Sequence, residues 1–347
     1  MYRALYRTML PKFRHNFVVA ALLVLALSLA SSLALAQYAA TTLVKNTGKK
    51  GDKQLINPWG LAYAPSEPFW LSDEGSGFST LYTGTGVKQS LEVTIPPASG
   101  SGPGSPTGIV YNGSSEFQID GWASTFIFDT LDGTISGWSS NDPDNALLAV
   151  NNSSSGAIYT GLAITSHASG NFLYAADWWN NKIDVYDNNF NFVMSFTDPN
   201  APRGYVPFGI QDINGQLYVA FAPQSGAKGG YIDIFTEAGT FVQTLTQGKP
   251  LNQPWGFAMA PSNFGTLSNT LLISNNINAG TINGYNPTTG AFVGTVETTA
   301  NKAIKINQLW GIEFGGGSSN NGATNQLFYT AGPKNNANGI FGVINVE

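Results

Sequence analysis

Two sets of side chains in this chain have the types and recurrence to do chemistry. The first bears oxygen: Asp73 with Glu74, Asp129, Asp177 with Asn180, and Asn275 with Asn276. Carboxylates and amides are hard ligands, and three or more converging on one point would suit Ca²⁺. The same residue types at tight turns accept backbone N–H groups, and that plainer role is favoured. The second set is aromatic. Trp59, Phe208, Trp255 and Trp310 each stand directly before a glycine. Indole faces gathered at a mouth would stack on sugars or other flat apolar surfaces, whereas recurrence at one place per repeat favours rings wedged between neighbouring elements. Trp178 and Trp179 are different, because this pair occurs once and lies in a turn. Two adjacent tryptophans cannot face one side of a sheet, so at least one is a candidate for ligand contact.

Other chemistries are closed to the chain. It has no cysteine and two histidines, His15 and His167, so thiol nucleophiles, disulfides and multi-histidine zinc centres are excluded. A serine triad would have to use His167, which falls between the first two strands of its repeat, away from the other candidates. Only 11% of the 347 residues are charged, and Gly and Pro number 40 and 18. The solvent stripe of a helix normally uses the charged straight-chain residues that are scarce here, so a helical fold is disfavoured. With 42% hydrophobic residues the chain can bury a large core, which argues against disorder.

The first 36 residues have the form of a secretory signal. Arg3, Arg7, Lys12 and Arg14 form a basic leader, Phe17 to Leu27 is an unbroken apolar run, and Ala34-Leu35-Ala36 is a small-x-small cleavage site before Gln37. The expectation is a secreted or periplasmic protein, with no membrane association after cleavage. From residue 37 onward there are 12 basic and 21 acidic residues, a net of −9, so nucleic acid is not an expected partner. The Lys49-Lys50-Lys53 group reads as a solvated turn.

The elements that must position the candidates are visible as a repeat. An aromatic or Thr, then Gly, then a large apolar residue recurs at Gly60, Gly108, Gly161, Gly209, Gly256 and Gly311, with spacings of 48, 53, 48, 47 and 55 residues. Each anchor is followed by a second apolar strand, such as Phe69-Trp70-Leu71 or Leu271-Leu272-Ile273. A third strand of alternating pattern follows a turn, as in Lys182 to Tyr186, and a fourth closes five of the repeats, as in Phe192 to Phe196. One four-stranded blade per repeat fits this spacing. The sixth repeat lacks a fourth strand, and the orphan strand Tyr38 to Val44 can supply it. The fold class predicted is all-β: a six-bladed β-propeller whose last blade is closed by the N-terminal strand, so that no sheet edge is left at the seam. Two segments break the rhythm, Pro96 to Pro106 and Gly315 to Asn325, and both read as flexible insertions, the first a candidate lid.

The third repeat, from Leu173-Tyr174-Ala175-Ala176-Asp177 through Asn180-Asn181-Lys182-Ile183-Asp184, resembles an NHL repeat, with Asp at the end of strand two and Asn-x-x-Ile leading into strand three. Asp73 and Asp129 are read at the same Asp position, and Asn275 stands there in the fifth repeat. Residues 38 to 347 also resemble secreted bacterial propellers of unassigned function near the gluconolactonase and calcium-dependent phosphotriesterase-like superfamily. That resemblance implies the propeller fold. Calcium-dependent relatives of this type present acidic ligands from several blades, and here the residues preceding the anchor glycines carry no carboxylate. The expectation is a monomeric, non-catalytic scaffold without a resident cofactor, binding a small molecule, glycan or peptide through Trp59, Asp73, Glu74, Asp129, Asp177, Trp178, Trp179, Asn180, Trp255, Asn275, Asn276 and Trp310. The alternative is a Ca²⁺-dependent lactonase or esterase with Asp73, Glu74 and Asp177 as ligands.

Overall fold

Short runs of apolar residues separated by Gly, Asn and Pro turns leave the chain little choice but strands, and the computed structural model describes residues 37–166 and 170–347 in those terms. The proposed signal segment and His167 lie outside the described residues. Six four-stranded antiparallel sheets follow one another along the chain. In the first, Pro58–Ala62, Phe69–Asp73, Phe78–Tyr82 and Lys88–Thr94 pair in sequence order. Blades two to five repeat the plan, beginning at Pro106, Tyr159, Tyr205 and Pro254. The sixth is Leu309–Phe314, Leu327–Ala331 and Ile340–Val346, completed by the N-terminal strand Tyr38–Lys45. That seam is antiparallel, running from Tyr38 opposite Val346 to Lys45 opposite Ile340. It is pinned further by the buried Tyr38 hydroxyl, which donates to the Phe264 carbonyl at 2.9 Å and accepts the Leu267 N–H at 3.0 Å.

The anchor glycines recur because the first strands of adjacent blades touch. A Cβ built on Gly209 would stand 2.1 Å from the Trp255 carbonyl oxygen, on Gly108 2.4 Å from the Leu162 nitrogen, and on Gly311 2.7 Å from the Trp59 carbonyl oxygen. Real Cβ atoms do not approach backbone so closely, so glycine is needed for the ring to close at this radius.

Every first strand also carries a register irregularity at its anchor. In blade one Pro58 pairs with Asp73 and Leu61 with Leu71, so two residues oppose one. The same break falls at the anchors of the other five blades. A bulge interrupts the alternation of side chains and re-aims the residues within it. Between the blades, apolar clusters fill the space in turn, for example Trp70, Phe126, Phe128 and Trp138 between blades one and two.

Three local features differ from the sequence reading. Gln118–Ile119 and Trp122–Ala123 form a small hairpin within blade two, around Asp120 and Gly121 at φ 52° and 82°. The Asp-Gly pair was its sequence signal. Gly315 to Asn325 is a folded turn in which Asn321 is fully buried and its side-chain oxygen accepts the Ser318 N–H at 3.1 Å. The 96–106 segment is tied at both ends, by Asn151 Nδ2 to the Ala98 carbonyl at 2.8 Å and by Gly104 N to the Ile95 carbonyl at 2.7 Å.

Candidate functional site

The bulge explains where the aromatic residues go. Trp59, Phe208, Trp255 and Trp310 neither wedge between blades nor ring an open mouth; they meet one another across the channel and bury their own faces. Trp59 and Trp310 stack with centroids 3.5 Å apart and planes at 17°. Trp255 stands edge-on to both, at 6.0 and 5.7 Å, and Phe208 edge-on to Trp59 at 6.1 Å and to Trp310 at 5.8 Å. Blades two and three contribute Thr107 and Thr160 at the same place, which leaves room for the four rings. The result is a plug with no indole face free for a sugar.

The plug is wired unevenly. Trp255 Nε1 donates to the Thr160 carbonyl at 2.8 Å, and Trp310 Nε1 to Asn57 Oδ1 at 2.9 Å. Asn57 in turn donates to Glu74 Oε2 at 2.6 Å. Trp59 Nε1 is buried without a partner.

The oxygen-bearing candidates divide by blade position and do not converge. Asp73, Asp177 and Asn275 end their second strands and bond within their own blades and the loops that lead into them. Asp73 Oδ2 accepts from Thr80 Oγ1 at 2.6 Å, and Asp177 accepts the Ile158 and Asn180 backbone N–H groups and Asn180 Nδ2. Asn275 Oδ1 accepts the Asn252 N–H at 2.9 Å, while Asn276 Nδ2 reaches the Leu309 carbonyl at 3.2 Å. Among the described residues no group of three or more Asp, Glu or His is placed to hold a metal ion. Burial drives the Asp73 carboxyl well above its usual range.

Asp129 requires a correction. Ile109 pairs with Phe128 as Leu61 pairs with Leu71 and Phe257 with Ile273. The residue equivalent to Asp73 is therefore Thr130, and Asp129 corresponds to Ser72, Ser274 and Thr330. A shift of one residue along a strand moves a side chain to the other face. On that face the hydroxyls join neighbouring blades: Thr330 Oγ1 donates to the Trp59 carbonyl at 2.5 Å and Ser274 Oγ to the Trp310 carbonyl at 2.6 Å. Asp129 Oδ1 instead accepts Thr107 Oγ1 at 2.7 Å and the Gly108 N–H at 2.5 Å. Thr107 Oγ1 also stands 2.9 Å from the Tyr159 carbonyl oxygen of blade three, so its single proton is shared between the two acceptors. Burial pushes the Asp129 carboxyl up to about 6 against the pull of these donors.

Trp178 and Trp179 divide as adjacent residues must. Trp178 packs partly against the plug, while Trp179 is 57% exposed. Asn180 is exposed beside it.

The channel is open from the opposite end. A well of about 440 Å³ runs along the first strands, with Trp255 among its lining. The residue two past the anchor glycine contributes to the wall in five of the six blades, as Ala62, Val110, Ala163, Gln211 and Glu313. Tyr63, Tyr111 and Asp212 lie one residue further along their strands or beside them, toward the strand ends. Burial pushes the Glu313 carboxyl up to about 7, and burial together with the Glu313 charge pushes the Tyr63 hydroxyl up to about 12. These residues were missed from the sequence. The signal was there: in a column otherwise holding Ala and Val, Gln211 and Glu313 are the polar exceptions.

The sheets and channel define a six-bladed β-propeller with a plugged upper channel and a blind lower well. The chain is 30% identical over 322 residues to uncharacterized protein R648 of Acanthamoeba polyphaga mimivirus, covering 86% of this chain and 77% of that protein. It belongs to the family of that viral protein. No family model matches it. Among solved structures, a Xanthomonas campestris gluconolactonase superposes with TM-score 0.58 at 13% identity, covering 91% of this chain and 93% of that one. A streptogramin B lyase gives 0.53 at 13%, covering 91% and 100%. At such identity the likeness is one of fold.

Proposed function

We propose that this protein is a non-catalytic binding propeller whose ligand site is the lower well, not the aromatic end of the channel. The observation that carries this is the well itself. Its volume lies in the range of small-molecule sites, its wall is mostly small and apolar, and a few polar groups gather toward one end. A ligand with an apolar body and a polar end facing Gln211, Asp212 and Glu313 suits it. A small molecule fits better than a glycan or peptide, which would need the open aromatic surface that the plug consumes. The leader supports secretion or a periplasmic location, and the third repeat supports an NHL-like ancestry for the blades. The net charge of −9 in residues 37 to 347 weighs against nucleic acid. For the Ca²⁺-dependent hydrolase, Asp73, Glu74 and Asp177 would have to leave their present hydrogen bonds to form a ligand set.

Thermal unfolding against a panel of small molecules with an apolar body and one polar end, namely alcohols, amides and amines, tests the proposal, since a ligand that binds only the folded state raises its apparent stability. Compounds that stabilise the protein should lose their effect in Gln211→Trp and Glu313→Gln and keep it in Trp179→Ala. The opposite pattern, or no stabilising compound at millimolar concentration, would overturn the well as the site.

A further inference from the structure

Outside the channel, the feature with the most unbalanced chemistry is a cavity of about 660 Å³ between the 46–53 loop and the outer part of blade one. Lys45, Lys49, Lys50, Lys53 and Lys88 line it, five of the 12 basic residues that follow position 36 in a markedly acidic chain. The one carboxylate in the lining, Asp52, is already engaged. Lys88 Nζ meets Asp52 Oδ2 at 2.7 Å, the Tyr82 hydroxyl donates to the same oxygen, and the Gln54 N–H donates to Oδ1 at 3.0 Å. Lys45, Lys49, Lys50 and Lys53 have no ion pair or side-chain hydrogen bond among the described residues.

Four uncompensated ammonium groups on one short segment repel one another, and a plain solvated turn gains nothing from holding them together. Yet the loop is folded: the Gly51 N–H donates to the Gly48 carbonyl and the Asp52 N–H to the Lys45 carbonyl, both at 3.1 Å. Gly51 is required there, since a Cβ would stand 2.5 Å from the Asn46 carbonyl carbon and oxygen. The loop thus places four exposed lysines on the border of an open depression larger than a single phosphate needs. Ammonium groups on flexible stems suit a charge-dense oxyanion without demanding one fixed geometry.

We propose that this cavity is a binding site for a compact, multiply charged phosphate anion of the pyrophosphate or tripolyphosphate class, free or as the tail of an organic phosphate. The site has a structural consequence. Its loop joins the strand that closes the ring to the first strand of blade one, so a bound anion ties the seam of the propeller and raises its stability.

Isothermal titration of phosphate, pyrophosphate and tripolyphosphate into the protein at 50 mM chloride tests this. Affinity should rise in that order, fall when chloride is raised to 200 mM, and drop at least tenfold in Lys49→Ala/Lys50→Ala/Lys53→Ala. A control pair far along the sequence, Lys302→Ala/Lys305→Ala, should bind as the parent does. Adenosine diphosphate set against pyrophosphate separates the two sources: equal affinity assigns the site to the phosphate chain alone, and tighter binding to an organic phosphate. Circular dichroism confirms that each variant is folded. The absence of saturable binding at 50 mM chloride, or an equal loss in the triple and control variants, would overturn the proposal.

Discussion

The plug offers one substitution at three positions with different expected outcomes. Trp59, Trp255 and Trp310 are all buried in the same cluster, so replacing any of them by Phe removes a similar slice of apolar contact, worth about 1–2 kcal/mol in lost burial and cavity. The three differ in the fate of the indole N–H. At Trp310 the change leaves Asn57 Oδ1 without its 2.9 Å donor, and at Trp255 it leaves the Thr160 carbonyl without its 2.8 Å donor. A buried polar group left unmade costs about 1–3 kcal/mol, so Trp255→Phe and Trp310→Phe should each lose about 2–5 kcal/mol. At Trp59 the N–H has no partner to lose. Deleting it relieves a comparable penalty, which offsets the lost contact, and Trp59→Phe should lie within about 1 kcal/mol of the parent. Equilibrium urea unfolding, followed by far-UV circular dichroism so that the readout does not depend on the altered rings, measures all three. Loss of stability in Trp59→Phe equal to that in Trp310→Phe would falsify the claim that hydrogen-bond satisfaction, not ring packing, separates these positions.

Asp129 predicts a pH dependence. Its folded value of about 6 lies above the ordinary 3.8, so the folded state holds the proton more tightly than the unfolded chain does. The stabilisation is complete below about pH 3.8 and is lost as pH rises to 6 and beyond, about 3 kcal/mol for a shift of roughly two units. Asp129→Asn, a fixed mimic of the protonated form, should match the parent at pH 4 and exceed it at pH 7.5 in the same unfolding assay. An unchanged pH slope in the variant would count against the assignment. The ring radius makes a separate prediction: Gly209→Ala places a methyl 2.1 Å from the Trp255 carbonyl oxygen, while Gly161→Ala meets its nearest atoms at 3.3 Å. Gly209→Ala should therefore lower stability by about 3 kcal/mol or more and Gly161→Ala by clearly less; equal melting temperatures would contradict the close approach.

Blade number, strand order and the seam were legible because they rest on local patterns. Alternation of apolar residues defines strands, turn residues separate them, and the repetition of the glycine anchor counts the blades. The strands Lys182–Tyr186 and Phe192–Phe196 match their sequence boundaries. The reason for the anchor glycines was not legible, since it lies in contacts between strands nearly fifty residues apart.

The candidate site was read less well, and the cause is the bulge. Sequence determines that Trp59, Phe208, Trp255 and Trp310 recur at one place per blade, but period-two reasoning assigns a face only while the register is unbroken. Six breaks at the anchors turn those rings inward, where they consume one another's surface, and the open space appears at the other end of the channel. One residue of register likewise separates Asp129 from Asp73, a carboxylate at the contact of two blades from one bonded within its own blade. The chain by itself determined which residues are aromatic, acidic or small and how often they return. Only the closing of six sheets around an axis decided which of them meet, because a side chain's neighbours across a channel are set by backbone geometry that the sequence records only through its glycines.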